Sequence, residues 1–248
     1  MTVKNTKIYF ASDFHLGNCS VKETLKREKK IVSWLNQIKK DAKSIYLIGD
    51  IFDFWFEYKE VVPKGFIRLL GTLAELSDSG IKIHFVVGNH DLWMKDYFVE
   101  QMNARIYYEN FILEDSGKTI FVGHGDGLGE GDYFYKFLKK IFTSKICQWF
   151  FQIIHPDFSV RLAKYWSEKN ASKKMNTLFE ENSKDILVGY CNNQQKKIQV
   201  DYYIFGHRHL PLTIPIDKNS VYINTGDWIN HFTYAVFDGE KLYLEKFN

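Results

Sequence analysis

The chain has 248 residues, of which 45% are hydrophobic and 25% charged, a composition typical of a globular protein and not of a disordered one. Its formal net charge of +3 is too small to indicate nucleic acid or another polyanion as a partner. The three cysteines, Cys19, Cys147 and Cys191, have no paired spacing, which favours a reducing compartment over a disulfide framework.

The N-terminal sequence gives an expectation about location. Its first residues run directly into a strand-like segment without the apolar core of a signal peptide. No apolar run approaches the ~20 residues that are needed to span a bilayer. The sequence therefore predicts a cytoplasmic protein, in which any membrane association is peripheral.

The N-terminal half alternates predicted strands and helices. Strand-like apolar runs occupy residues 8–11, 45–48, 83–87 and 120–122, and a further run occupies residues 202–205. Between them, residues 21–40 and 65–79 place apolar side chains on one helical face, and Asp78-Ser-Gly80 is expected to end the second helix. This alternation indicates a mixed α/β domain.

The rest of the chain consists of an insertion and a strand-rich end. Residues 129–185 are mostly helical in periodicity and fit neither pattern around them, so we interpret them as an inserted cap. Short strand-like runs at 212–216, 221–224, 233–238 and 241–247 are separated by turn residues and predict an antiparallel meander. The predicted domains are a core of residues 1–128 and 186–248 and a helical cap of residues 129–185.

Five short polar motifs occur in order, and each follows a strand-like run. They are Asp13-Phe-His15, Gly49-Asp50, Gly88-Asn89-His90-Asp91, Gly123-His124 and Gly206-His207-Arg208-His209. Because the ends of neighbouring strands meet at one sheet edge, we expect these polar groups to converge. His15 or His124 alone would more often be a hydrogen-bonded loop residue, but five ordered motifs indicate one site. The remaining histidines, His84, His155 and His231, lack such spacing and are not predicted ligands.

The motifs supply seven candidate metal ligands with oxygen or imidazole nitrogen donors: Asp13, His15, Asp50, Asn89, His124, His207 and His209. This mixed set suits Mn²⁺, Fe²⁺ or Zn²⁺ better than Mg²⁺ alone, and its size fits two ions. If Asp50 bridges, the first motif and one late histidine complete one site, while Asn89, His124 and the remaining late histidine complete the other. Two ions ~3.5–4 Å apart activate water and bind a phosphate oxygen, so no serine or cysteine nucleophile is required.

Three residues beside the predicted ligands are candidates for other roles. His90 follows Asn89 and is predicted to be catalytic, either hydrogen-bonding a phosphoryl oxygen or protonating the leaving oxygen. Asp91 is predicted to orient the His90 imidazole, with a turn cap as the alternative role. Arg208 is either a phosphate contact or a solvated charge, and the sequence favours neither.

The motifs together resemble those of the calcineurin-like metallophosphoesterase superfamily, and no ligand of its ordered set is missing. The resemblance implies an α/β (α+β) fold, a four-layer αββα sandwich of two mixed β-sheets flanked by helices. It also implies that His209 joins the Asp13 ion and that His207 joins the Asn89 ion. The expected cofactors are two divalent metal ions, and the expected reaction is phosphoester hydrolysis.

Longer segments resemble one branch of that superfamily, the UDP-2,3-diacylglucosamine diphosphatases of lipid A biosynthesis. The matching segments are residues 49–57, residues 88–91 and His124-Gly-Asp126 with the insertion after it, and the resemblance covers nearly the whole chain. It implies Mn²⁺-dependent hydrolysis in which water attacks the α-phosphorus, giving UMP and 2,3-diacylglucosamine 1-phosphate. Well-known proteobacterial members carry arginine where this chain has His90, so the phosphate contact is expected to differ in detail.

The insertion has a distinctive composition. Residues 133–175 contain nine lysines and arginines against two acids, and they are rich in aromatic residues. Basic and aromatic residues together favour a cap that lies on an anionic membrane and forms one wall of an acyl pocket. The alternative is an ordinary helical hairpin whose aromatic side chains pack on the sandwich.

The resemblance also implies a substrate and its contacts. The predicted substrate-binding residues are Asn89, His90, Asp132, Tyr135, Ser167, Asn170, Lys174 and His207. The expected partners are a UDP-linked diacylated sugar lipid and the cytoplasmic face of the inner membrane, with no nucleic acid, and the protein is expected to be a monomer. Two other functions compete with this one. A phosphodiesterase or phosphatase for another nucleotide or phosphoester would use the same core, and a non-catalytic scaffold would not need the intact ligand set.

Overall fold

The computed structural model describes residues 6–131, 133–161 and 186–248. The strands in these ranges are β1 (Lys7–Ala11), β2 (Ala42–Ile48), β3 (Lys82–Val86), β4 (Arg105–Tyr107), β5 (Phe111–Asp115), β6 (Lys118–Val122), β7 (Tyr202–Phe205), β8 (Pro211–Pro215), β9 (Val221–Thr225), β10 (Thr233–Phe237) and β11 (Leu242–Lys246). They form a six-stranded sheet with the order β11-β10-β1-β2-β3-β4 and a five-stranded sheet with the order β5-β6-β7-β9-β8. Each sheet contains both parallel and antiparallel pairs.

The helices connect and cover these sheets. They are α1 (Val21–Ile38), α2 (Ile67–Asp78), α3 (Tyr97–Met102), α4 (Tyr133–Phe142), α5 (Lys145–Ile153) and α6 (Ile186–Gln195), and residues 156–161 are also helical. Ser20 determines where α1 begins, because its hydroxyl accepts from the Glu23 backbone N–H at 3.3 Å and donates to the Glu23 carboxylate at 2.8 Å. The Ser20 side chain thus caps the N-terminus of the helix by accepting from one of its free backbone N–H groups.

The two sheets pack against each other through one face of each. On β1, Phe10 lies in the core between the sheets, together with Ile48 of the first sheet and Val122 and Ile204 of the second. The adjacent residue Tyr9 belongs to the cluster on the opposite face of the first sheet. This alternation is the two-residue periodicity of a strand that is buried on both faces.

Helices cover the outer face of each sheet. Trp34 of α1 and Leu69 of α2 pack in one cluster with Leu47 of β2. Leu187 of α6 packs with Tyr203 in the second sheet. The order helix, sheet, sheet, helix confirms the predicted four-layer αββα sandwich with two mixed sheets.

The predicted C-terminal meander was wrong in one respect. The four strands exist, but they form two hairpins in different sheets: β8 pairs with β9 in the five-stranded sheet, and β10 pairs with β11 in the six-stranded sheet. The physical reason is long-range pairing, because β9 lies parallel to β7 and β10 lies antiparallel to β1. The local spacing of strands and turns does not indicate which distant strand each of them pairs with.

The described part of the insertion is attached to the core by a few specific contacts. The Trp93 indole N–H donates to the carbonyl of Phe142, the last residue of α4, at 2.7 Å. The ring of Phe151 in α5 lies 4.7 Å from the rings of both Phe56 and Trp93. Tyr58 hydrogen-bonds to Ser159 in the helical segment that follows. These contacts form a seam between the core and the insertion.

Most large apolar side chains of α4 and α5 lie outside this seam. Exposed examples are Tyr133, Phe134, Phe137, Ile146, Trp149, Phe150 and Ile153, and Trp149 and Phe150 are 57% and 59% exposed. The aromatic residues therefore divide into two groups, one that packs on the core and one that faces solvent. Among the described residues, no helix combines the length and the apolar character that crossing a bilayer requires.

Candidate metal centre

Strand ends from both sheets bring the polar motifs together. In the first sheet, Asp13 and His15 follow β1, Asp50 follows β2 and Asn89 follows β3; in the second, His124 follows β6 and His207 and His209 follow β7. Six of these side chains form two compact groups in which every ligand atom lies within 4.8 Å of the others. The convergence expected from the sequence is therefore present in the structure.

The first group contains Asp13, His15 and His209. The His209 Nε2 atom lies 3.3 Å from Asp13 Oδ1 and 3.2 Å from His15 Nε2. The other Asp13 oxygen is held in place, because it accepts from the His207 backbone N–H at 2.9 Å and from the Ser12 hydroxyl. One oxygen of Asp13 is thus positioned by the protein while the other is directed toward the two imidazoles.

The second group contains Asp50, His124 and His207. The His124 Nε2 atom lies 3.3 Å from Asp50 Oδ2, and His124 Nδ1 lies 2.9 Å from the Ile48 carbonyl. A hydrogen bond from Nδ1–H to that carbonyl would leave Nε2 available to a metal ion.

Asp50, a member of the second group, also lies close to the first. Its Oδ2 atom is 3.3 Å from His124 Nε2 and 3.6 Å from His15 Nε2, whereas its Oδ1 atom accepts from the His90 backbone N–H at 2.9 Å. A carboxylate within reach of both imidazoles has the position that a bridging ligand needs. Gly88 permits this arrangement, because a Cβ atom there would collide with the Asp50 carboxylate.

Unsatisfied buried atoms test whether these residues suit a metal. Asp13 Oδ1, Asn89 Oδ1 and His124 Nε2 are buried without a hydrogen-bond partner, and each is a donor atom of a predicted ligand. Burying a polar atom without a partner costs about 1–3 kcal/mol. Divalent ions would coordinate all three atoms, so these residues suit a metal site.

The backbone at the site is strained in a consistent way. Five predicted ligands have left-handed conformations with φ between +43° and +67°: Asp13, His15, Asp50, His207 and His209. Such conformations cost non-glycine residues roughly 1–3 kcal/mol each and occur mainly where the surrounding structure demands them. Strain that is concentrated in the ligands indicates a functional constraint on their directions.

The carboxylates and imidazoles of the site shift one another's pKa values. Burial alone would raise the pKa of Asp50, but the imidazoles of His124 and His90 hold that pKa well below its usual range. Burial would likewise lower the pKa of His124, but Asp50 outweighs it and raises the pKa to about 10. The carboxylates are therefore ionised while buried, which requires nearby positive charge.

Two buried carboxylates outside the predicted set support the ligand histidines. Asp227, which follows β9, places Oδ2 3.4 Å from His209 Nδ1, and its Oδ1 accepts from the backbone N–H groups of residues 229–231. Asp53 places Oδ1 3.5 Å from His15 Nδ1. Such contacts fix the orientation of a metal-binding imidazole. In the sequence, Asp53 was marked only by its position three residues after Asp50. Asp227 was marked only by its position shortly after a predicted strand.

The predicted partnership between His90 and Asp91 was wrong. Asp91 is buried and accepts from the backbone N–H groups of Gly88 at 2.8 Å, Ile51 at 2.8 Å and Asp50 at 3.3 Å. The His90 ring instead places Nδ1 3.0 Å from the Asp53 carbonyl. Asp91 therefore joins two ligand loops, because its carboxylate satisfies backbone donors from both of them.

Only some of the remaining residues that were predicted to contact substrate or phosphate lie within the described part of the chain. The Tyr135 hydroxyl donates to Asp126, which also pairs with Lys139 at 2.6 Å, so α4 is tied to the loop that follows His124. Arg208 is partly buried, and its backbone N–H donates to the Gly206 carbonyl at 2.8 Å. Four predicted substrate contacts lie outside the described residues: Asp132, Ser167, Asn170 and Lys174.

A comparison with protein families agrees with the fold and the site. The model of the calcineurin-like phosphoesterase family matches residues 6–211. The chain belongs to the calcineurin-like phosphoesterase family, as the motifs indicated, and it is a metal-dependent hydrolase. The two ligand groups are candidate positions for the divalent ions on which this family depends.

Curated relatives resemble the chain over nearly its full length. A UDP-2,3-diacylglucosamine hydrolase from Porphyromonas gingivalis is 36% identical over 254 residues, which is 97% of each chain. Proteins of the same name from Actinobacillus succinogenes and Haemophilus ducreyi are 24% and 26% identical, covering 90% and 89% of this chain and 92% and 91% of their own. The insertion between the fourth and fifth motifs is therefore included in the alignments.

Proposed function

We propose that this chain hydrolyses the pyrophosphate bond of UDP-2,3-diacylglucosamine, releasing UMP and 2,3-diacylglucosamine 1-phosphate. The observation that carries the proposal is the 36% identity with a UDP-2,3-diacylglucosamine hydrolase over 97% of both chains. The convergence of six of the seven predicted ligands in two groups supports it, because a two-metal hydrolase needs such groups.

The proposed metal site has two ions, and we propose Mn²⁺ as the resident metal. Asp13, His15 and His209 would hold one ion, while Asn89, His124 and His207 would hold the other, with Asp50 shared between them. When bound, the two ions supply an activated water as nucleophile and positive charge for the phosphate oxygens.

The residues of the chain orient these groups and the substrate. Asp227 and Asp53 hold the rings of His209 and His15, so the ligand directions are set before substrate binds. His90 has its Nδ1 atom against the Asp53 carbonyl, so Nε2 is the nitrogen that remains for a phosphoryl or leaving oxygen. His90 and Asn89 are accordingly the proposed substrate contacts of the core, with His207 beside them.

The cap, proposed to span residues 129–185, would bring the protein to its substrate. The exposed aromatic side chains of α4 and α5 lie beside lysines, a combination that binds the interface of an anionic bilayer. We therefore propose a monomer that associates peripherally with the cytoplasmic face of the inner membrane.

One assay tests the proposed activity. Wild-type protein with Mn²⁺ should release UMP from UDP-2,3-diacylglucosamine much faster than from UDP-glucose, which lacks the acyl chains. Asp50→Asn should abolish turnover while the protein remains folded, and metal analysis should show about two ions per wild-type chain and fewer in the variant. Equal turnover of both substrates would reject the lipid substrate, and one ion per chain in both proteins would reject the bridging role.

A further inference from the structure

Two buried hydroxyl groups lie behind Asp13, one from each sheet. Ser12 follows β1 of the six-stranded sheet, and Thr225 is the last residue of β9 in the five-stranded sheet. Both residues are fully buried, and their side-chain oxygens lie 2.6 Å apart. The Ser12 hydroxyl also hydrogen-bonds to Asp13 Oδ2. Ser12 and Thr225, which we call the hydroxyl pair, therefore connect the second sheet to a predicted metal ligand of the first.

The direction of these hydrogen bonds follows from the number of protons. An ionised carboxylate only accepts, and each hydroxyl has a single proton to donate. Ser12 therefore donates to Asp13, and Thr225 donates to Ser12. The other acceptor within reach of the Thr225 hydroxyl is the Phe205 carbonyl, which at 3.4 Å is more distant than the Ser12 oxygen at 2.6 Å. The hydroxyl pair is thus directed from Thr225 through Ser12 to Asp13.

The surrounding backbone holds the hydroxyl pair in place. A Cβ atom on Gly206 would collide with the Ser12 hydroxyl and with the Asp13 carboxylate, so only glycine permits this close approach. The Asn224 side-chain amide donates to the Gly206 carbonyl at 2.5 Å, which ties the loop of Gly206 to the end of β9. Asn224 is itself fully buried. Both strands that carry the hydroxyl pair are therefore fixed relative to the loop between them.

These contacts distinguish the two oxygens of Asp13. Oδ2 accepts from the Ser12 hydroxyl and from the His207 backbone N–H at 2.9 Å. Oδ1 is buried and has no hydrogen-bond partner among residues 6–131, 133–161 and 186–248. A carboxylate oxygen has about two acceptor positions, so Oδ2 is saturated while Oδ1 is free to bind an ion.

We propose that Thr225, acting through Ser12, is a positioning residue of the metal centre, because the hydroxyl pair holds Oδ2 so that Asp13 offers only Oδ1 to an ion. The inference rests on the proposed function for the role of Asp13 as a metal ligand. It adds two residues that lie outside the ligand motifs. Neither residue contacts the ion or the substrate.

The test is titration of the metal-free, full-length protein with Mn²⁺, measured by calorimetry. Thr225→Val removes the hydroxyl and keeps the branched shape, and it should weaken Mn²⁺ binding by roughly tenfold, the lower end of the effect of losing a group that orients a ligand. Thr225→Ser keeps the hydroxyl and should retain most of the affinity. Ser12→Ala interrupts the same contact from its other end and should weaken binding at least as much, so the test does not depend on the folding of one variant.

Two further variants show whether the effect belongs to the hydroxyl pair. Ser12→Ala with Thr225→Val should bind Mn²⁺ like Ser12→Ala alone, because Thr225 acts only through Ser12. The matched control is Thr119→Val, since the Thr119 hydroxyl also donates to a carboxylate, that of Asp201 at 2.9 Å, outside the candidate metal centre. This control should bind Mn²⁺ like the wild type.

The outcomes separate this inference from the proposed function. Wild-type Mn²⁺ affinity in Thr225→Val would overturn the inference, even if UDP-2,3-diacylglucosamine is hydrolysed as proposed. Equal losses in Thr225→Ser and Thr225→Val would also overturn it, because the shape of the side chain and not its hydroxyl would then matter. Additive losses in the double variant would show that the two hydroxyls act separately and would overturn it as well. The expected affinities in a protein that fails to hydrolyse UDP-2,3-diacylglucosamine would support the hydroxyl pair and reject the proposed substrate.

Discussion

Asp227 shows how much of the candidate metal centre depends on residues outside the motifs. It is buried, it accepts three backbone N–H groups, and its second oxygen lies 3.4 Å from Nδ1 of His209. The backbone donors fix the carboxylate, and the carboxylate in turn fixes the imidazole. A predicted ligand whose side chain is 31% exposed, as that of His209 is, depends on such support to keep its direction.

We expect Asp227→Asn to weaken Mn²⁺ binding by about 10- to 100-fold, the usual effect of losing a carboxylate behind a metal-binding imidazole. Titration of the metal-free protein with Mn²⁺ measures this directly. Asp217→Asn is the matched control, because Asp217 is an exposed aspartate whose carboxylate also accepts a backbone N–H. Equal Mn²⁺ affinity in the two variants would remove Asp227 from the support of His209.

The role of His90 can also be tested by a single substitution. His90→Ala should retain its metal content and lose about 10²- to 10⁴-fold in kcat, the scale expected for a general acid or a donor to the phosphate. His155→Ala, which changes an exposed histidine away from the site, should keep the wild-type rate. Loss of metal from the His90 variant would instead indicate that this residue supports the ligand set.

The sequence identified the side chains that converge at the candidate site better than the residues behind them. Each ligand lies in a short motif at a strand end, and glycines such as Gly88 mark places where only a small residue fits. Asp53 and Asp227 belong to no motif, since a hydrogen bond to a distant imidazole requires no fixed spacing. Asp91 was assigned to its sequence neighbour His90, whereas its carboxylate accepts from backbone groups of the Asp50 loop.

At the scale of elements, local patterns located the strands but not all of their partners. The apolar runs before the motifs correspond to β1, β2, β3, β6 and β7. The predicted helix at 21–40 corresponds to α1, since its apolar face and its Ser20 cap are local signals. The division of the last four strands between two sheets depends on β1 and β7, which are distant in sequence, so it was not predictable from spacing.

Strand β3 carries a histidine whose charge state should affect stability. His84 stacks on Tyr46 at 4.2 Å and lies 5.9 Å from the Tyr107 ring, and burial, with Arg105 and Lys82, lowers its pKa to about 4. Its pKa in the unfolded chain is about 6.5. As pH falls from 6.5 towards 4, the unfolded state therefore takes up a proton that the folded state excludes, and stability is lost.

His84→Phe should keep the stacked ring and reduce this acid sensitivity. Between pH 7 and pH 5 the wild type should lose about 1–2 kcal/mol of unfolding free energy through His84, a loss that the variant should lack. Urea unfolding at the two pH values measures the difference. His155→Phe, at an exposed histidine, should show the wild-type pH dependence, and an equal pH dependence in His84→Phe would contradict the assignment.

For the whole molecule, the seam between core and cap divides three consecutive aromatic residues. Phe151 packs against Phe56 and Trp93, whereas Trp149 and Phe150 are exposed. The packed-hairpin interpretation therefore applies to Phe151, whereas Trp149 and Phe150 are the candidates for a membrane surface. Composition could not separate them, because all three residues are equally aromatic.

Substitutions on the two sides of the seam should have different effects. Trp149→Ser with Phe150→Ser should weaken binding to anionic vesicles and slow turnover of the diacylated substrate. Hydrolysis of bis-p-nitrophenyl phosphate and the unfolding free energy should change little. Phe151→Ala should instead destabilise the protein by about 2 kcal/mol, because a partly buried ring is lost from an aromatic cluster.

The comparison of these two variants tests whether the exposed aromatic side chains contact a membrane. Vesicle co-sedimentation, both substrate assays and urea unfolding should be measured on each. If the Trp149 and Phe150 double variant binds vesicles like the wild type, the exposed aromatics do not contact the bilayer.

The origin of the ligands in both sheets has a consequence for folding. His15 and His209 are separated by 194 positions along the chain, yet their ring nitrogens lie 3.2 Å apart. An ion held by both would act as a reversible cross-link that closes most of the polypeptide into a loop, comparable in its effect on the unfolded chain to a disulfide across the same span. Unlike a disulfide, this cross-link would have a strength that rises and falls with the free metal concentration around the protein.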